Sequence, residues 1–149
     1  MLLQKQPNHW SCLPTAFAIA TEMPVSKIIE MIGHDGGERV FSGKRPERSF
    51  HIGEISILAL RLGFSLTPVF NLLTTGNRET GQKHHQYLDL NKLLQEDFRE
   101  YRSIMCGIFP GGPHAVAHEG GMIYDPNGTS YPYDSKIITV EQFWVVRSA

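Results

Sequence analysis

Cys12 is the side chain of this sequence best placed to do covalent chemistry. It follows Ser11, a residue type favoured at helix N-caps, and it opens the apolar stretch Leu13-Pro14-Thr15-Ala16-Phe17. A thiol attacks only as its thiolate. The unpaired N–H groups and the dipole at the start of a helix favour negative charge there. The competing explanation for any single cysteine is a buried structural thiol. Gln6, just upstream, carries a side-chain amide that could donate to an oxyanion together with the backbone N–H of the cysteine. Gln4 is close enough to compete for that role, and an exposed glutamine is the plainer account of either.

A cysteine nucleophile needs a base, and seven histidines are available. His114 is preferred because of the residues downstream of it. The turn at Glu119-Gly120-Gly121 should fold two short strands into a hairpin. A turn centred near residue 120 would set position 114 opposite 125 or 126, bringing Asp125 beside His114. A carboxylate that accepts from an imidazole fixes its tautomer and supports its charge. Taken singly, His114 could be an ordinary strand histidine, and Asp125 part of a turn in Asp125-Pro126-Asn127-Gly128. His118 shares the face of His114 by strand alternation and is expected near the hairpin tip, exposed. Cys106, within Ile104-Met105-Cys106-Gly107-Ile108, reads as core, and the pair His84-His85 as solvated loop. His9 with Cys12 could begin a metal site, but no Cys or His pair of zinc spacing completes it. No metal and no cofactor are expected.

The elements that would position these residues fall into two halves. The first holds helices: one starting at Cys12 and ending before Pro24, one over Val25–Ile32 closed by Gly33, and one over 53–62 closed by Gly63. A strand over 64–70 and a fourth helix over 90–99 come next. The second half holds strands at Ser103–Phe109, 114–118, Met122–Asp125, 131–133 and 144–147, separated by Gly and Pro turns. Thr139 to Gln142 has the spacing of a capping box and predicts one helical turn. Segments 34–52 and 71–87 read as loops. Helices first and antiparallel strands second is the α+β pattern, with N-terminal helices packed on a C-terminal sheet in one domain spanning 1–149.

With 149 residues, 41% of them apolar and 19% charged, the composition is that of a globular domain large enough to bury a core. A formal charge of −1 gives no basic field for nucleic acid. Two cysteines are too few for a disulfide scaffold. No apolar run is long enough for a signal-peptide core or a membrane span, so the expectation is a cytoplasmic protein with no membrane partner.

In chain order, Gln6, Cys12, His114 and Asp125 resemble the site of the papain-like cysteine peptidases. Within them the chain is most similar to the bacteriocin-processing double-glycine peptidases in stand-alone form. The likeness is carried by Gln6-Pro7-Asn8-His9-Trp10-Ser11-Cys12, by the helix pair broken at Pro24-Val25-Ser26 and followed by Gly53 to Gly63, and by His114-Ala115-Val116-Ala117 leading to Ile123-Tyr124-Asp125-Pro126. The resemblance implies a papain-like fold and hydrolysis of a peptide or protein through an acyl-enzyme on Cys12. His114 would be the general base, Asp125 would orient it and Gln6 would hold the oxyanion. Other thiol chemistry, such as deamidation, transglutamination or acyl transfer, would use the same residues, and a retired, purely binding form of the fold is a third reading. The family often has glycine after the cysteine; here Leu13 stands there. Loops 34–52 and 71–87 would be the places to look for specificity.

Overall fold

The helix that begins at Cys12 is apolar on every side, and such a helix must be covered all round. In the computed structural model, which describes residues 1–39, 47–69, 76–77, 82–83 and 93–148, it is. Helix α1 (Cys12–Thr21) is buried from Leu13 to Thr21. Helices α2 (Val25–Ile32) and α3 (Ile52–Arg61) pack beside it, and a sheet closes the remaining side. Among the described residues the architecture is α+β, with three α-helices and a six-stranded antiparallel sheet. No helix of the described residues is long and apolar enough to cross a membrane.

The strands are β1 (Phe64–Pro68), the two-residue pair β2 (Gly76–Asn77) and β3 (Gln82–Lys83), then β4 (Ser103–Phe109), β5 (Gly112–Glu119), β6 (Met122–Asp125), β7 (Thr129–Pro132) and β8 (Thr139–Ser148). The main sheet runs β1-β8-β4-β5-β6-β7. Its two faces are both buried. Ile104, Ala115, Ala117, Trp144 and Val146 meet Phe17 and Ile19 of α1 on one side. Met105, Val116, Ile123, Val140 and Phe143 form a second cluster on the other, capped by Leu94 from a π-helical turn at Leu93–Asp97.

Several expectations change here. Ser11 takes the N-cap position, but its hydroxyl donates back to the Asn8 carbonyl and no side chain caps α1. The α2 start is served from a distance instead: the Gln4 side-chain oxygen accepts from Val25 N–H at 2.8 Å while its amide donates to the Met23 carbonyl at 2.7 Å. Thr139 to Gln142 does not form a helical turn. It opens β8, because Val140, Phe143, Trp144, Val145 and Val146 are residues that suit a sheet buried on both faces, and β1 and β4 pair on either side. The expected fourth helix is represented by Leu93–Asp97, with residues 90–92 outside the described residues. The same holds for residue 70 at the end of the expected 64–70 strand, for 40–46 of the first loop, and for most of 71–87, including His84 and His85.

Pairing between β4 and β8 slips at Cys106/Gly107. A Cβ on Gly107 would lie 2.1 Å from the Thr139 carbonyl oxygen, so only glycine lets the two backbones approach there. Gly107→Ala should lower the unfolding free energy by about 1–3 kcal/mol, as overpacking does. A Cβ on Gly53 in α3 meets nothing within 4 Å, so Gly53→Ala should instead be neutral or raise stability by up to about 1 kcal/mol. Urea melts of the two variants measure the contrast.

Candidate active site

Burying α1 on the sheet brings its uncapped N-terminus to the end of β5 that β6 does not cover. Pairing of β5 with β6 is confined to Ala117↔Tyr124, His118↔Ile123 and Glu119↔Met122. The turn is the two glycines Gly120 and Gly121, both left-handed at φ 64° and 79°, which the twist of a two-residue hairpin requires. The hairpin is therefore centred half a residue beyond the expected position. Asp125 stands diagonal to His114 on the same face rather than directly opposite, still within reach of a long side chain. The two meet: His114 Nε2 lies 2.6 Å from Asp125 Oδ1.

Cys12 is close enough to His114 to favour its charged form. Since Nε2 is committed to Asp125, Nδ1 is the ring nitrogen left for the thiol. Burial opposes the charged ring. The hydrogen bond to Asp125 and the neighbouring Cys12 outweigh it and raise the His114 pKa to about 9. Burial likewise opposes the Asp125 carboxylate, but three donors hold its pKa below the usual value. These are His114, the Tyr131 hydroxyl at 2.6 Å from Oδ2, and the Asn127 N–H at 2.9 Å from Oδ1.

Gln6 joins the same place through its backbone. Its N–H donates to the Pro126 carbonyl at 2.7 Å, and Lys5 bridges to Asn127, so the N-terminal segment lies along the turn that succeeds Asp125. The Gln6 amide donates one N–H to the Asn8 carbonyl at 2.8 Å, and its buried oxygen has no partner among the described residues. Gln6, His114, Asp125 and Tyr131 line a groove of about 1020 Å³, whose walls also include Phe109, Pro113 and Ile137. Trp10 turns away to pack against Gly36 and Gly37.

Of the residues the sequence singled out, Cys12, His114 and Asp125 are brought together, with His114 hydrogen-bonded to Asp125 and Cys12 beside the ring, and Gln6 stands on the groove. Gln4, the rival of Gln6, is fully engaged at the turn between α1 and α2. Cys106 is a free thiol packed against the α1 core, and burial first, then the charge of Cys12, pushes its pKa to about 12. His118 is corrected outright. It is fully buried, because the 93–101 segment folds over the hairpin: Gly120 N–H donates to the Arg99 carbonyl at 2.7 Å. The His118 Nδ1 lies 3.2 Å from the Ser103 hydroxyl, and burial together with the nearby Arg99 lowers its pKa to about 4. Tyr131 was overlooked. A turn at Asn127-Gly128 sets Asp125 opposite Thr129, so Tyr131, two residues on, shares that face, and this was available from strand alternation. Among the described residues no three His, Cys, Asp or Glu side chains are grouped as metal ligands. No protein-family model, no curated protein and no solved structure matches the chain.

The two histidines should titrate in opposite senses. In a ring-proton NMR titration, His114 should stay protonated until about pH 9 and His118 neutral until about pH 4. The raised His114 pKa contributes stability that is complete below its ordinary 6.5 and is lost as pH rises to about 9. The lowered His118 pKa contributes stability that is complete above 6.5 and is lost as pH falls to about 4. Unfolding melts across the two windows should show both losses, with the alkaline one diminished in Asp125→Asn.

Proposed function

We propose that the chain is a thiol acyl-transfer enzyme of papain-like fold, and specifically a cysteine peptidase that hydrolyses a peptide or protein bond through an acyl-enzyme on Cys12. The observation that carries this reading is the His114–Asp125 hydrogen bond with Cys12 beside the ring, at the edge of an open groove. A helix start, an imidazole and a buried carboxylate are each common; joined in this order they make a nucleophile, its proton carrier and the group that orients the carrier.

With its pKa raised, His114 rests as the imidazolium at neutral pH, the partner a Cys12 thiolate needs. The sulfur attacks the substrate carbonyl carbon, forming a C–S bond while the carbonyl π electrons move to oxygen. The Cys12 and Leu13 N–H groups, left uncapped, and the second N–H of the Gln6 amide are the donors on hand for that oxyanion. When it collapses, the C–N bond breaks and the amine leaves with the proton from His114 Nδ1. The ring, now neutral, takes a proton from water as the hydroxyl attacks the thioester, which releases the acid and restores the thiolate and imidazolium. Throughout, Asp125 holds the ring by Nε2 and balances its charge.

Alkylation with iodoacetamide followed by peptide mapping tests the nucleophile. Near neutral pH Cys12 should react on the order of 100 times faster than Cys106, whose buried thiol is scarcely ionised. His114→Ala should slow Cys12 at least about tenfold while leaving Cys106 unchanged. Equal labelling of the two thiols, or indifference to His114, would falsify the proposed site. Peptidase activity itself is read by mass spectrometry of products from a mixed peptide library: new termini in the wild type and none in Cys12→Ala.

A further inference from the structure

We propose that Tyr131 is a positioning residue of this site, fixing Asp125 on His114 through a hydrogen bond to the far carboxylate oxygen; the inference rests on the acyl-transfer reading. Asp125 is 4% exposed, so its charge depends on protein donors. Oδ1 takes two of them, His114 Nε2 and the Asn127 N–H. Oδ2 takes one, the Tyr131 hydroxyl. Without that hydroxyl, Oδ2 has no partner among the described residues. A buried carboxylate in that position either gains a proton or rotates about its own axis to share Oδ1 differently. Each outcome loosens the hold on His114, and a less supported imidazolium supports the Cys12 thiolate less.

The placement of Tyr131 is built in by the sheet. β7 is an edge strand whose register, Asp125↔Thr129 and Ile123↔Tyr131, is set by the short turn through Gly128 at φ 94°. The ring of Tyr131 forms part of the groove wall, so the residue touches both the substrate space and the carboxylate. The titratable groups facing Asp125 are His114 from β5 and Tyr131 from β7, with Lys5, His9 and Asp134 along the same groove. Tyr131 supplies the one hydrogen bond to Oδ2 among the described residues.

The test is the pH profile of Cys12 alkylation by iodoacetamide in the full chain, which needs no knowledge of the substrate. Tyr131→Phe keeps the ring and removes only the hydroxyl. Its acid limb should move to higher pH by about one unit, the worth of one hydrogen bond to a charged group. In Asp125→Asn the same Tyr131→Phe change should move the limb no further, because Tyr131 acts through Asp125. Should Tyr131→Phe not fold, 4-aminophenylalanine at position 131, a weaker donor of the same shape, should give a smaller shift in the same direction. A folded variant that scales the rate down evenly with no movement of the limb, or an equal shift with and without Asp125, overturns the role given to Tyr131. A wild-type profile insensitive to His114→Ala would instead overturn the acyl-transfer reading itself, so the two failures are distinguishable.

Discussion

The complete burial of α1 is the constraint on which the remainder of the structure depends. Nine consecutive residues, Leu13 to Thr21, have no exposed face, so the helix has to lie between two other helices and a sheet. Its axis and its ends are then fixed by packing rather than by capping. Ser11 does not close the helix, Pro14 has no N–H to offer, and no N-cap side chain takes up the first donors. The sheet beneath uses small side chains, Ala115 and Ala117, where the helix comes closest. The neighbouring residue of the same strand, His114, is carried to the helix start.

The charges at that junction are maintained by a short relay of polar contacts, each link of which offsets a desolvation cost. Cys12 and Asp125 raise the basicity of a ring that burial alone would discharge, and three donors keep Asp125 ionised where burial alone would protonate it. The relay crosses four elements: α1, β5, the end of β6 and β7. None of these contacts is local in sequence except the Asp125–Asn127 turn. The site is therefore a product of the fold, and loosening of the β5–β6–β7 hairpins would disperse it before the core around α1 was lost. His118 shows the opposite arrangement on the same strand. Among the described residues it has a hydroxyl partner but no carboxylate, and burial and a nearby arginine keep it uncharged.

How much was legible in the amino acids depends on the range of the interactions. The α+β division, the three helices and the hairpin carrying His114 and Asp125 were legible, because hydrophobic period and glycine turns act over a few residues. Turn arithmetic was off by half a residue, yet the diagonal neighbour was still within reach. The expected helical turn at Thr139 was wrong because a local capping pattern was outweighed by pairing with β1 and β4, both distant in sequence. The exposure assigned to His118 was wrong for the same reason: nothing near residue 118 announces that residues 93–101 will cover it. Tyr131 could have been found by continuing the strand alternation one hairpin further. The Gln4 side chain, by contrast, caps a helix that begins at Val25, a role no local pattern encodes.

On the proposed reading, Cys12 passes through a covalent acyl intermediate. The direct measurement is rapid acid quenching after mixing with p-nitrophenyl acetate, then mass mapping of the acetyl group. A stoichiometric burst of nitrophenol and a transient thioester on Cys12, formed more slowly in His114→Ala, are the expected result. Acetylation absent from Cys12, or distributed over lysines with no burst, would contradict it.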